Sequence, residues 1–296
     1  MTIRHTRRHV GLAATLAIAI GVSLAGQDVA LPQQKSSIHF AVLGDTGTGD
    51  AHQYKVAEML ASARAKFPFG FVLMLGDNIY GSDSQRDFQN KFEKPYAALL
   101  AGDVKFYAAL GNHDDPTSQA NYKLFNMNGE RYHTFKPGPT SNVRFFSLDS
   151  NYMDQAQLTW LEKELAASTS EWKIAFFHHP LYSSGGMHGS DTGLRAKLEP
   201  LFVKYGVDLV FSGHDHFYER IKPQQGIQYF VIGGSAKLRS GDIRNSPLTA
   251  KGFDTGYSFA LVEIAGNNMY FQVISDQGKT VDSGTIPRRP PPAPVK

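Results

Sequence analysis

Val207-Asp208-Leu209-Val210-Phe211-Ser212-Gly213-His214-Asp215-His216 opens as a short, largely apolar run and stops on a glycine and two histidines. Such a run, continuous rather than alternating and bounded by glycine and polar residues, reads as a strand buried on both faces. The same grammar recurs upstream. Ile38–Leu43 leads to Gly44-Asp45-Thr46-Gly47, and Phe71–Leu75 leads to Gly76-Asp77-Asn78-Ile79-Tyr80. Val104–Leu110 leads to Gly111-Asn112-His113-Asp114, and Lys173–Phe177 leads to His178-His179-Pro180. In α/β proteins functional groups gather at the carboxyl ends of strands, so all five clusters are expected on one rim.

Between these runs, and a further one at Val143–Leu148, lie helical patterns at Gln53–Lys66, Phe88–Leu100, Gln155–Ala167 and Leu194–Tyr205. The last third is different. Tyr229–Gly233, Ser258–Ile264, Met269–Ile274 and Thr280–Ile286 read as strands joined by short turns with no helix between them. Strand–helix alternation followed by a meander predicts an α/β (α+β) fold of two packed sheets with helices outside. No repeat or linker interrupts the chain. One domain is expected over residues 36–287, after a polar stretch at 26–36 and before a Pro-rich tail at 288–296.

The formal charge of +3 misleads. Arg4, Arg7 and Arg8 stand at the N-terminus; without them 27 Lys and Arg face 27 Asp and Glu. A neutral body implies no nucleic-acid or membrane-surface partner. The three arginines precede an apolar run, Val10–Ala25, which closes on Ser23-Leu24-Ala25 and is short of the ~20 residues of a membrane span. Residues 1–25 therefore read as a signal peptide for a periplasmic or secreted protein, with an uncleaved anchor as the alternative. Thr6-Arg7-Arg8 fits a twin-arginine signal as well as an ordinary leader. There is no cysteine, so any metal must be held by imidazole, carboxylate, amide or phenolate groups.

Each motif alone is weak, since Gly-Asp-x-Gly is an ordinary turn; the ordered set of five is specific. That order resembles the calcineurin-like metallophosphoesterases, and among them the purple acid phosphatases of the small tartrate-resistant type. The superfamily usually opens with Asp-x-His; here Gly47 stands at the histidine position and Tyr80 is supplied instead. The resemblance covers roughly residues 38–286 and implies a four-layer fold, two packed mixed sheets flanked by helices. It also implies a binuclear centre. Asp45, Asp77, Tyr80 and His216 would hold Fe(III), while Asp77, Asn112, His178 and His214 would hold Zn(II), Fe(II) or Mn(II). Hard anionic oxygens suit the ferric ion, imidazoles and an amide the divalent one. Water on such an ion ionises near or below neutrality and attacks without a side-chain base. By the same resemblance His113 and His188 contact the phosphate, with His188 the general acid, in a glycine-rich loop expected to move.

The plain readings stand beside these. The resembled family's His-x-Pro pattern implies His178 as ligand and leaves His179 to packing or support. His39, His52 and His133 carry no motif and read as surface or hydrogen-bonded core histidines. Asp114, Asp149, Asp215 and Glu219 are expected to orient loops, and Trp160 and Trp172 to pack. The expected function is an exported acid phosphatase acting on small phosphate monoesters. A phosphodiesterase or nucleotide pyrophosphatase with the same metals, or an exported metal-binding protein without turnover, are the alternatives.

Overall fold

Phe40 and Val42 point to one face of their strand, Ala41 and Leu43 to the other, and all four are fully buried. That is why the run is continuous in sequence: the strand lies between two hydrophobic layers. The computed structural model describes residues 1, 28–139 and 141–290. The expected leader beyond Met1, and residues 291–296 of the expected tail, lie outside the described residues.

The chain runs β1 (Ile38–Leu43), α1 (Ala51–Lys66), β2 (Phe71–Met74), α2 (Gln85–Phe88), α3 (Ala97–Leu100), β3 (Lys105–Ala108) and α4 (Pro116–Asn121). It continues through β4 (His133–Phe135), β5 (Val143–Ser147), α5 (Gln155–Ala167), β6 (Trp172–Phe176), α6 (Thr192–Tyr205) and β7 (Leu209–Ser212). It closes with β8 (Tyr218–Ile221), β9 (Gln228–Ile232), β10 (Thr249–Phe253), β11 (Ser258–Ala265), β12 (Asn268–Ser275) and β13 (Thr280–Pro287).

Two mixed sheets result, ordered β13-β12-β11-β1-β2-β3 and β10-β8-β9-β7-β6-β5-β4. Parallel pairing joins β1, β2 and β3 in one sheet and β5, β6, β7 and β9 in the other. Between the sheets Phe40, Val42, Leu73, Phe145, Phe211 and Phe230 form a central core, with Trp172 buried among them. Outside one sheet α1 packs through Val56, Leu60 and Ala63; outside the other α5 and α6 pack through Leu161, Leu198 and Phe202. Helix–sheet–sheet–helix layering is what the strand pattern predicts.

Three local expectations change. The helix expected over Phe88–Leu100 is broken, with a turn of π-helix at Gln89–Glu93 between α2 and α3. Gln53 Nε2 donates to the Lys91 carbonyl (2.5 Å) and the Tyr54 hydroxyl to that of Asn90 (3.2 Å), which satisfies groups the wider turn presents. The strands β4, β8 and β10 are additional; β4 and β10 are sheet edges only half covered, so their apolar signal is weak. In the polar stretch before β1 the described residues, 28–37, form neither helix nor strand, yet they are tied down. The buried Glu263 carboxylate accepts from the backbone of Gln33 (2.7 Å) and Gln34 (2.5 Å), and Gln272 Oε1 from that of Ala30 (2.8 Å).

His133 also departs from expectation. It is neither a surface nor a hydrogen-bonded histidine: both ring nitrogens are buried without a partner beside Phe135 and Phe176. Burial pushes it down from 6.5 to about 4.

Candidate metal centre

The loops that follow β1, β2, β3, β6 and β7 meet at the carboxyl ends of the parallel strands. Backbone hydrogen bonds stitch them together: Asp45 N donates to the Gly76 carbonyl (3.1 Å) and Gly213 N to that of His178 (2.9 Å). Side chains continue the stitching, from one sheet to the other and between neighbouring strands of one sheet. His214 N donates to Asp45 Oδ2 (2.9 Å) and His113 N to Asp77 Oδ1 (3.0 Å).

Asp45, Asp77 and His214 adopt left-handed backbone, with φ of 56°, 51° and 69°. Each such residue costs roughly 1–2 kcal/mol without a glycine. Three such residues, each next to a glycine or a donor group on one rim, are consistent with strain held at a site. Two glycines explain the closeness. A Cβ on Gly111 would overlap Asp77, and one on Gly47 would overlap the Asn78 carbonyl. The backbone leading to Tyr80 therefore fills the space that a side chain at position 47 would need.

Two groups of donor atoms emerge, each within 4.8 Å: Asp45, Asp77 and His216, and then His178, His179 and His214. Tyr80 joins the first, its hydroxyl 3.2 Å from Asp45 Oδ1, which is also 3.4 Å from His216 Nε2. Asn112 joins the second. His178 Nδ1 donates to the Leu75 carbonyl (2.9 Å), which leaves Nε2 of the neutral ring with a bare lone pair. That lone pair faces Asn112 Oδ1 and His214 Nδ1, both at 3.0 Å, and Asp77 Oδ1 at 3.4 Å. The Asn112 and Asp77 oxygens repel that lone pair unless a positive charge lies among them, whereas His214 Nδ1 accepts or donates according to its tautomer.

Electrostatics points the same way. Asp45 is fully buried, and burial followed by the Asp77 charge raises it well above the carboxylate range. Burial, then Asp45 and Asp77, also raise Tyr80. Among the described residues no Lys or Arg ion-pairs with Asp45 or Asp77; their ion-pair neighbours are His216 and His178. Burial drives His178 well below 6.5, His214 down to about 2 and His216 down to about 4, so these imidazoles do not supply the missing charge. Buried anions without a cation are costly, and neutral imidazoles are good ligands. The residues present fit a pair of cations.

His113 and His188 are both exposed at this rim. The His113 ring lies 4.9 Å from that of Tyr80, and the His188 ring 4.2 Å from that of His214. His179 meets the Ser150 hydroxyl through Nδ1 (2.9 Å). The His188 loop is anchored despite its glycines: Asp215 accepts from Gly189 N (3.2 Å) and from the Ser183 hydroxyl, and Gly186 N donates to the Asp242 carbonyl (2.8 Å). Asp114 ties two loops, accepting from Gly111 N (2.8 Å), Ile79 N (3.1 Å), Asn78 Nδ2 (3.0 Å) and Gln119 Nε2 (2.7 Å).

Sequence reading missed Lys237 and Arg239. The Lys237 ammonium lies 4.3 Å from the centre of the Tyr80 ring, and Arg239 N donates to the His216 carbonyl (3.0 Å). They come from the loop between β9 and β10, which carries no motif or periodicity.

Residues 38–218 match the model of the family described as Calcineurin-like phosphoesterase. Tartrate-resistant acid phosphatase type 5 of Rattus norvegicus is 26% identical over 87% of this chain and 92% of its own length. Purple acid phosphatase 4 of Arabidopsis thaliana is 30% identical over 80% of each chain. The solved structure of GAP50, titled the anchor in the inner membrane complex of Plasmodium, has a TM-score of 0.75 at 20% identity, covering 87% of this chain and 90% of that one. The last likeness shows the fold.

Proposed function

Since this chain belongs to the calcineurin-like phosphoesterases, and among them to the purple acid phosphatases, we propose that it is an exported acid phosphatase hydrolysing small phosphate monoesters at a binuclear centre. Asp45, Asp77, Tyr80 and His216 would hold Fe(III), the ion that anionic oxygens favour. Asn112, His178 and His214, with Asp77 shared, would hold Zn(II), Fe(II) or Mn(II). Bound there, the pair supplies Lewis acidity toward phosphoryl oxygens and water that ionises near neutral pH.

The chain's own residues do the rest. Asn112 adds a donor atom without adding negative charge, which leaves the site receptive to a phosphate dianion. Histidines held well below their usual basicity stay unprotonated, and so remain ligands, in mild acid. His113 and His188, at the open rim, are the groups able to donate to phosphate oxygens. His188 carries the proton to the departing alkoxide.

The carrying observation is the Nε2 lone pair of His178 set against the oxygens of Asn112 and Asp77. An anchoring role like that of GAP50 would need the fold but neither this donor set nor two exposed histidines beside it. The test is metal content and visible spectrum of the purified protein, then turnover of a chromogenic phosphate monoester with and without chelator. Tyr80→Phe should abolish the ferric phenolate absorption; a spectrum indifferent to that change, or turnover indifferent to chelator, refutes the reading.

A further inference from the structure

Cations that rest on aromatic rings in this fold are mostly held by something else as well. Arg131, Arg144, Lys204 and Arg220 each stand within 5.6 Å of a ring centre, and each also ion-pairs with a carboxylate. Arg195, over the Tyr182 ring, reaches the Leu181 carbonyl (3.5 Å). Lys237 differs. Its ammonium lies 4.3 Å from the centre of the Tyr80 ring, and among the described residues it meets no carboxylate and no hydrogen-bond acceptor.

Both partners are fixed by their surroundings. After β9 the chain packs directly against the first donor group, for a Cβ on Gly233 would overlap the Asp215 carbonyl and crowd Asp45 Oδ2. Ser235 Oγ accepts from Gly44 N (3.2 Å) and donates to the Ser258 carbonyl (2.9 Å), and Arg239 N donates to the His216 carbonyl (3.0 Å). The backbone on either side of Lys237 is thus tied to the loops that carry Asp45 and His216. Tyr80 is tied as well. Lys91 Nζ donates to its carbonyl, and Asp87 holds that ammonium at 3.0 Å.

A half-buried ammonium without a counter-ion is costly. A neutral phenol offsets little of that cost, through its ring quadrupole alone, whereas a phenolate offers a full opposite charge. Burial, then Asp45 and Asp77, oppose ionisation of Tyr80. Lys237 pulls the other way, and it does so at the ring rather than at the oxygen.

Building on the binuclear reading, we propose that Lys237 acts through Tyr80, as a fixed counter-charge that limits how strongly the phenolate donates electrons to the ferric ion. Absorption of visible light by a ferric phenolate moves an electron from ring to iron and leaves the ring positive beside the ammonium. Lys237 therefore raises the energy of that band. By restraining donation it also favours the reduced ion over the oxidised one.

The test uses the full, iron-loaded protein and a charge series, Lys237→Arg, Lys237→Met and Lys237→Glu, with iron per chain measured for each. The readouts are the visible absorption maximum and the midpoint potential of the iron. Lys237→Arg should keep the wild-type maximum. Lys237→Met should move it to longer wavelength by on the order of 10 nm, and Lys237→Glu further. The midpoint potential should fall in the same order.

A maximum that ignores the charge at position 237, or that moves equally in the arginine and methionine variants, removes this role of Lys237 and leaves the phosphatase reading standing. Iron lost from Lys237→Met but kept by wild type removes it too, since the lysine would then hold the centre together rather than tune it. Iron-loaded wild-type protein without a visible band overturns the Tyr80 ligand assignment and this inference together.

Discussion

His133 should make this protein lose stability in acid for a reason separate from its metal ligands. Its two ring nitrogens are buried without partners, and burial lowers it from 6.5 to about 4. The folded chain therefore refuses a proton that the unfolded chain accepts. Stability is complete above the unfolded value and is lost as pH falls from 6.5 toward 4. At pH 5 the ratio of the two proton-binding factors is about 30, and RT ln 30 is about 2 kcal/mol; at pH 8 the difference is close to zero. His133→Phe removes the titration while keeping an aromatic ring beside Phe135 and Phe176. The advantage of the variant over wild type in urea unfolding should therefore grow by about 2 kcal/mol between pH 8 and pH 5. Taking the difference between two proteins of equal metal content cancels the ligand histidines. An offset between variant and wild type that is the same at both pH values would refute the argument, whatever its sign.

Other perturbations probe the site directly. His178→Ala removes the nitrogen around which Asn112, Asp77 and His214 converge; bound metal should fall from two ions per chain to one, with activity down at least about 100-fold. Elemental analysis beside the turnover assay checks both. Gly47→Ala places a Cβ against the backbone of Asn78 and should cost about 3 kcal/mol, read as a lowered urea midpoint, because backbone cannot yield as a side chain can. Asp114→Asn replaces one carboxylate oxygen by an amide NH2 that faces two of the four donors, the two that share that oxygen. It should destabilise by about 2–3 kcal/mol, and a variant as stable as wild type would show that Asp114 does not tie these loops.

The amino-acid sequence determined the layered plan and the rim on which the chemistry gathers. Continuous runs such as Ile38–Leu43 report burial on both faces, and the residues after them report which loops carry donor groups. Both signals live within a few positions of one another. The broken helix near Lys91 escaped because the side chain that meets its carbonyl, Gln53, lies 38 residues away. Edge strands such as β4 escaped because a half-covered strand shows little apolar pattern. His133 escaped because nothing local distinguishes a histidine with partners from one without. Only the tertiary structure set the lone pair of His178 against Asn112 and brought His214 N to Asp45 across 169 positions. It alone put Lys237 over Tyr80. Burial and loop composition are properties of a segment, whereas the meeting of two atoms depends on how both sheets pack, which no segment encodes by itself.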